Sequence, residues 1–209
     1  MTIKDLKTAL LSALQPKLEQ RGFKLQKSKE RFAKRIAEVS WWFVLDFTVY
    51  ESLHVKPAIG LRVDAIENKF HQTSGFERKY QADTPTLSLS LQGLVADPSR
   101  FEYVIRDLSD VDTAAAQLER DFDEIVFPYF EKYSALAMID AALNENPGQD
   151  CVHYAMDYLR CAHGLIVAGI VGRPNYADLV GVYRQKLALI SNGFYIPKFE
   201  ALVADLAKP

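Results

Sequence analysis

Cysteine is scarce in this chain: two thiols, Cys151 and Cys161, among 209 residues. Two thiols ten apart in an apolar-periodic stretch cannot frame a disulfide scaffold and suit a reducing compartment, so the cytosol is expected. Long apolar runs are lacking as well. The longest, Gly164 to Gly172, spans nine residues, against the roughly 20 needed to cross a bilayer, so no transmembrane helix and no membrane partner are expected. At the N-terminus, Asp5 and Lys7 break what would have to be a signal peptide's apolar core. Neither low-complexity segments nor internal repeats occur, and 49% apolar with 25% charged residues excludes disordered and collagen-like chains. Catalytic signatures are missing too: there is no Gly-x-Ser-x-Gly, no P-loop and no Gly-x-Gly-x-x-Gly, and serines stand singly. An enzyme is therefore not expected, and no cofactor is.

What is present is a clear change of hydrophobic period. Ile3, Leu6, Leu10, Leu14 and Leu18 recur at helical spacing behind a Thr2/Asp5 start signal, and Gly22 ends the pattern. Pro16 should kink or shorten that helix. From Val39 to Tyr50 the period is two, with Val39, Trp41, Phe43, Leu45, Phe47 and Val49 on a wholly apolar face expected to lie against the N-terminal helix. Val55, Ile59, Leu61, Val63 and Ala65 repeat that period. A hairpin that keeps both odd faces on the core needs a turn with an odd number of residues near Glu51 to His54. Further extended segments are Phe23–Lys27, Arg31–Ile36, Thr86–Leu91 and Phe101–Arg106.

From Asp110 onward the spacing is helical. Pro128 is expected to interrupt, Ser134 to cap a new helix, and one long helix to run from Cys151 to Val171. Two more follow, over Tyr176–Ser191 and Pro197–Ala207. The order predicts an α+β fold: an N-terminal helix on an antiparallel sheet of about four to six strands, followed by a C-terminal helical bundle. Residues 1–133 form the sheet domain and 134–209 a helical extension packed on it as one structural unit.

Charge is unevenly spread: residues 1–80 carry 15 basic and 9 acidic side chains, and residues 81–209 carry 10 and 18. Lys17–Arg35 is the basic patch and Asp110–Glu124 the acidic one. Either could steer a partner of opposite sign, or the two could face each other within the fold. A nucleic-acid partner is disfavoured by the sequence pI near 6.1. On a helix, Asp112, Glu119 and Asp123 lie within about 60° of one another. With Glu124 they form the candidate partner-binding surface, leaving Leu118, Phe122 and Ile125 to pack inward.

Cys151 with His153 and Cys161 with His163 resemble metal-ligand pairs. On one helix, however, residues two apart point about 200° apart, so no metal site is expected. His153, Asp157 and Arg160 share a helical stripe and could line a pocket between sheet and C-terminal helices; that is the alternative reading, a small hydrolase or ligand-binding protein. Gly164, Ala168, Gly169 and Gly172 suit close helix packing that ends in a glycine cap. Trp42, Tyr50 and the cluster Phe127, Tyr129, Phe130 and Tyr133 are either an exposed hot spot or a second core layer.

The helix ending in Gly22-Phe23-Lys24, the strand Trp41–Tyr50 and the segment from Ile125 to Ser134 resemble an uncharacterised bacterial domain-of-unknown-function family over about residues 1–145. Related families serve as immunity proteins in polymorphic-toxin and contact-dependent growth-inhibition systems. The resemblance implies a small α+β protein without an active site. Its partner would be a cognate protein toxin, a nuclease among the candidates, blocked by occlusion of the toxin's active site.

Overall fold

The structure, a computed structural model, describes residues Thr2–Lys208. Helix α1 (Ile3–Glu19) opens with a reciprocal cap: the Thr2 hydroxyl accepts from the Asp5 amide, and the Asp5 carboxylate accepts from the Thr2 amide at 2.7 Å. It runs on past Pro16 and is not shortened there. It closes where Gly22 takes φ +82°, with the Phe23 amide donating to Leu18 O and the Gly22 amide to Glu19 O.

Strands β1 (Lys24–Gln26), β2 (Arg31–Ile36), β3 (Val39–Val49) and β4 (Leu53–Val63) come next, and β5 (Leu87–Ser90) and β6 (Tyr103–Ile105) complete a six-stranded sheet. Its order is β1-β2-β3-β4-β5, with β6 also paired to β4 through Leu53 and Ile105. All four shorter segments read as extended are strands, and the β3–β4 turn, Tyr50 to Ser52, has the odd length expected. Ala65 falls outside the strand, in helix α2 (Asp64–Phe70), which has no counterpart in the sequence reading. A short helix, α3 (Arg78–Gln81), also precedes β5.

Helix α4 (Leu108–Asp121) continues through a π-helical turn, Phe122–Val126, into α5 (Phe127–Tyr133). Pro128 therefore does not interrupt the helix as expected. A proline ring clashes with the carbonyl four residues back, and the wider π turn, in which the Phe127 amide bonds Phe122 O, absorbs that clash. Then come α6 (Leu136–Asn144), α7 (Asp157–Ile170), α8 (Tyr176–Leu189) and α9 (Ile196–Leu206). Ala135, not Ser134, occupies the α6 cap position. The long helix from Cys151 is also shorter than expected. Residues 151–156 instead form a turn and a bend around a single bridge between Ser88 and Tyr154, with the Ser88 amide donating to His153 O at 2.9 Å.

The chain divides into two compact units. The first runs to Leu61 and resumes from Leu89 to Glu131; the second comprises Arg62–Ser88 and the residues from Lys132 on. The sequence boundary near Ser134 lies close to one of these crossings, while the segment from Arg62 to Ser88 joins the C-terminal helices.

In the first unit Trp41, Phe43 and Leu45 on the odd face of β3 are buried, Phe47 is half-buried and Val49 is exposed. That face packs chiefly on the aromatic run after α4: Trp41 stacks on Phe130 at 5.1 Å, and Phe43 meets Phe122 edge-on at 5.3 Å. From α1, Lys7 Nζ sits over the Phe47 ring at 4.6 Å. On the even face Trp42 is buried under the Arg31 guanidinium, 4.0 Å from the ring, and against Gly60. A side chain at residue 60 would bring its Cβ to 2.8 Å from Trp42 Cε3, so glycine is required by the close approach. Tyr50 is exposed, edge-on to His54.

Candidate functional site

The acidic row of α4 is built by a firm helix. Its Asp107 N-cap carboxylate accepts from the Ser109 and Asp110 amides, and Val111, Ala114, Ala115 and Leu118 are buried. Two of the four residues singled out as partner contacts have partners inside the unit. Glu119 takes Lys17 Nζ at 2.7 Å and Arg21 Nη2 at 3.3 Å, and Asp123 takes the Arg21 guanidinium, with Nε at 2.5 Å. The Lys17 hydrogen bond holds the Glu119 carboxyl below its ordinary range. Basic and acidic patches thus face each other, the bland alternative the charge pattern left open. Asp112 and Glu124 are exposed and make no ion pair among the described residues.

Beside Glu124 lies a recess of about 240 Å³ lined by Arg100, Tyr103, Gln117, Arg120 and Asp121. The Tyr103 hydroxyl donates to Asp121 there, and Arg100 stands 3.6 Å from that carboxylate. Burial, then the Asp121 hydrogen bond, pushes the Tyr103 phenol far above its usual value, so it stays protonated as a donor.

The alternative trio separates in the second unit. His153 and Arg160 line a recess of about 260 Å³ with Tyr133, Glu145, Asp150 and Cys151, whereas Asp157 is bound to Lys186 Nζ at 2.9 Å. His153 lies outside α7, so the shared helical stripe does not exist. Its ring packs on Tyr133 at 4.8 Å, and burial, with Lys132 and Arg160 nearby, lowers its proton affinity. The Arg160 guanidinium is buried and occupied by main-chain carbonyls: Leu143 O at 3.2 and 3.1 Å, Asn146 O at 2.8 Å, and Gln149 O. These carbonyls lie in the last turn of α6 and in the loop after it, so Arg160 serves as a cap rather than a substrate cation.

Both cysteines are free thiols, Cys151 half-buried and Cys161 buried. Burial pushes the Cys161 thiol up to about 12, so it is a neutral core residue. Among the described residues no group of three or more His, Cys, Asp and Glu is placed to hold a metal ion, and no helix is long and apolar enough to cross a membrane.

Sequence reasoning missed the densest polar cluster, also in the second unit. Glu67 of α2, without exposed surface, accepts from the Thr84 and Thr86 hydroxyls at 2.6 and 2.8 Å. His163 Nε2 lies 3.2 Å from Glu67 Oε1, and Arg62 and His71 each stand 3.7 Å from Oε2. Neither His163 ring nitrogen makes an aligned hydrogen bond among the described residues, although Nε2 is within ion-pair reach of the carboxylate. Desolvation lowers the proton affinity of His163 and of His71. Arg62 further holds Gln81 O at 2.7 Å and Thr84 O at 3.0 Å. The centre of the cluster, Glu67, Thr86 and His163, has no exposed surface, while His71 and Thr84 are partly exposed, and together they pin α2, α7 and the segment from Gln81 to Thr86. The one local signal for it was the i, i+4 spacing of Glu67 and His71.

No family model, no curated protein and no solved structure matches this chain.

Proposed function

We propose that the chain is a non-catalytic protein-binding module, and more narrowly a cytoplasmic immunity protein that neutralises a cognate bacterial toxin by covering its active site. The reading is supported by acid displayed on a rigid support: Asp112 and Glu124 stand exposed on the α4 segment, and Glu124 borders a recess sized for a partner side chain. Exposed carboxylates on such a face raise the association rate with a basic partner, while a side chain anchored in the recess, beside Arg100 and Arg120, supplies affinity. A nuclease toxin fits, because a cleft that holds phosphates is itself basic. Glu119 and Asp123 take the lesser part, since Lys17 and Arg21 already neutralise them.

The test is binding kinetics with the protein encoded beside the gene. Asp112→Lys with Glu124→Lys should slow association about tenfold at low salt and leave the unfolding temperature unchanged. Unchanged kinetics would exclude this face, and failure to bind would exclude the immunity reading. A second reading rests on the recess at His153 and Cys151, which would take a small polar ligand. Ligand-dependent stabilisation that His153→Ala abolishes would favour it.

A further inference from the structure

The second unit carries a larger groove, of about 640 Å³, within the roughly 300–1,000 Å³ of small-molecule sites. Its walls come from α2, α7, the turn after α7, Tyr176 of α8, and α9, and its exposed apolar surface from Ile170 and Leu206. The groove is open because Ala65, Gly169 and Gly172 along it are small. Gly172 has a conformational reason to be glycine: at φ +68° it closes α7, the Arg173 amide donating to Ala168 O and its own amide to Gly169 O. Gly169 has none. It lies inside α7, where glycine destabilises a helix relative to alanine, and a Cβ there would meet only Tyr176 Cε2, at an ordinary 3.5 Å. Packing does not demand glycine at this position, but an unobstructed groove does.

The charged residues lining the groove, Lys69 and Arg173, are both cations. Lys69 has three N–H donors and one partner among the described residues, Asp205 at 3.1 Å. Arg173 has five, of which three go to Asn175 Oδ1 at 2.9 Å, Asp140 Oδ2 at 2.5 Å and Asn144 O at 3.2 Å. Among the described residues each keeps two donors without a hydrogen-bond or ion-pair partner. Lys208 also binds Asp205, so the Lys69 ammonium shares its carboxylate with a second cation.

We propose that this groove binds a single-chain anionic amphiphile, a free alkanoate, with its chain along Ile170 and Leu206 and its carboxylate at Lys69 and Arg173. The apolar floor selects the chain, and the spare donors select a carboxylate over a hydroxyl. The proposal is independent of the toxin-binding reading, which concerns the other unit.

The experiment is calorimetric titration of the whole protein with octanoate, decanoate and dodecanoate below their micelle concentrations, beside the corresponding alcohols. Expected are one site per chain, affinity rising about fourfold per methylene, and a preference for acid over alcohol of about fivefold or more. Lys69→Met should erase that preference. Ala65→Trp, at an exposed α2 position, should weaken every ligand about tenfold while the unfolding midpoint holds, and Gly169→Val should do the same from the α7 wall. No saturable one-to-one binding, equal affinity for acid and alcohol, unchanged binding in both folded wall variants, or binding only to anionic phospholipid vesicles would each overturn the proposal.

Discussion

In the first unit the largest side chains without solvent exposure are aromatic, among them Phe23, Phe32, Phe43, Phe122 and Phe130. In the second the largest is an arginine, Arg160, and Glu67 and His163 are equally buried. The first core is held by contacts that depend on volume and shape, since dispersion and apolar burial are non-directional. The second adds, to an apolar core that includes Phe70, Leu165 and Phe199, a set of buried hydrogen bonds and charge pairs, for which one missing partner leaves the other buried and unmatched. Apolar cores tolerate volume-conserving exchange; polar cores tolerate almost no change of chemistry.

The sharpest way to break this contrast is to compare Glu67 with Phe43. Glu67→Ala strips Thr84 and Thr86 of their acceptor and leaves Arg62 facing no carboxylate on that side, so a loss of about 3–5 kcal/mol in urea unfolding is expected. Phe43→Ala should lose a similar ~3–5 kcal/mol through its cavity. The conservative pair separates them. Phe43→Leu should cost less than about 1.5 kcal/mol, and Glu67→Gln more than that, because one of the two oxygens that accept from Thr84 and Thr86 becomes a donor. Equal costs would erase the distinction. Phe47, half-buried under Lys7, should cost well under the Phe43 value when cut to alanine.

Acid should weaken the second unit through its histidines. His163, His71 and His153 all bind protons less readily folded than unfolded, chiefly because burial disfavours the charged ring. The unfolded chain therefore takes up more protons as pH drops below about 6.5, and that part of the stability is full above this pH and lost beneath it. Urea midpoints at pH 7.5 and 5.5 check this, and His163→Phe should flatten the slope. A slope unaltered by that change would show that the cluster does not carry the acid sensitivity.

Smaller effects sharpen the picture of the first unit. Gly60→Ala should cost about 1–3 kcal/mol, since its Cβ would press on Trp42, and Trp42→Phe should relieve part of it in a double-mutant cycle. Least of all, Glu119→Gln should change stability by about 1 kcal/mol or less, diminishing with salt, because Lys17 and Glu119 are both partly exposed.

Much of the fold was legible because its signals are short-range. Alternation placed β3 and β4, capping residues set both ends of α1, and Gly172 set the end of α7. Helix α2 was missed because its seven residues are too few for a period and follow β4 without a break. The Cys151–Met156 segment was read as helix because its apolar spacing runs into α7, whereas the bridge from Ser88 to Tyr154, far off in sequence, decides it. Pro128 misled in the opposite direction, since the π turn that admits it leaves no sequence mark.

For the candidate sites the balance shifts. The sequence by itself determined the order of elements, the apolar face of β3 and the acidic character of α4, all set by residues within one or two turns of each other. Tertiary structure alone decided that Glu119 and Asp123 meet Lys17 and Arg21, up to 102 residues away, and that Asp112 and Glu124 do not. It alone gathered Arg62, Glu67, Thr84 and His163 around one carboxylate, and left a groove between Lys69 and Arg173. The physical reason is range: periodicity and caps act through neighbouring peptide groups, whereas an ion pair or a cavity depends on which surfaces the folded chain brings together.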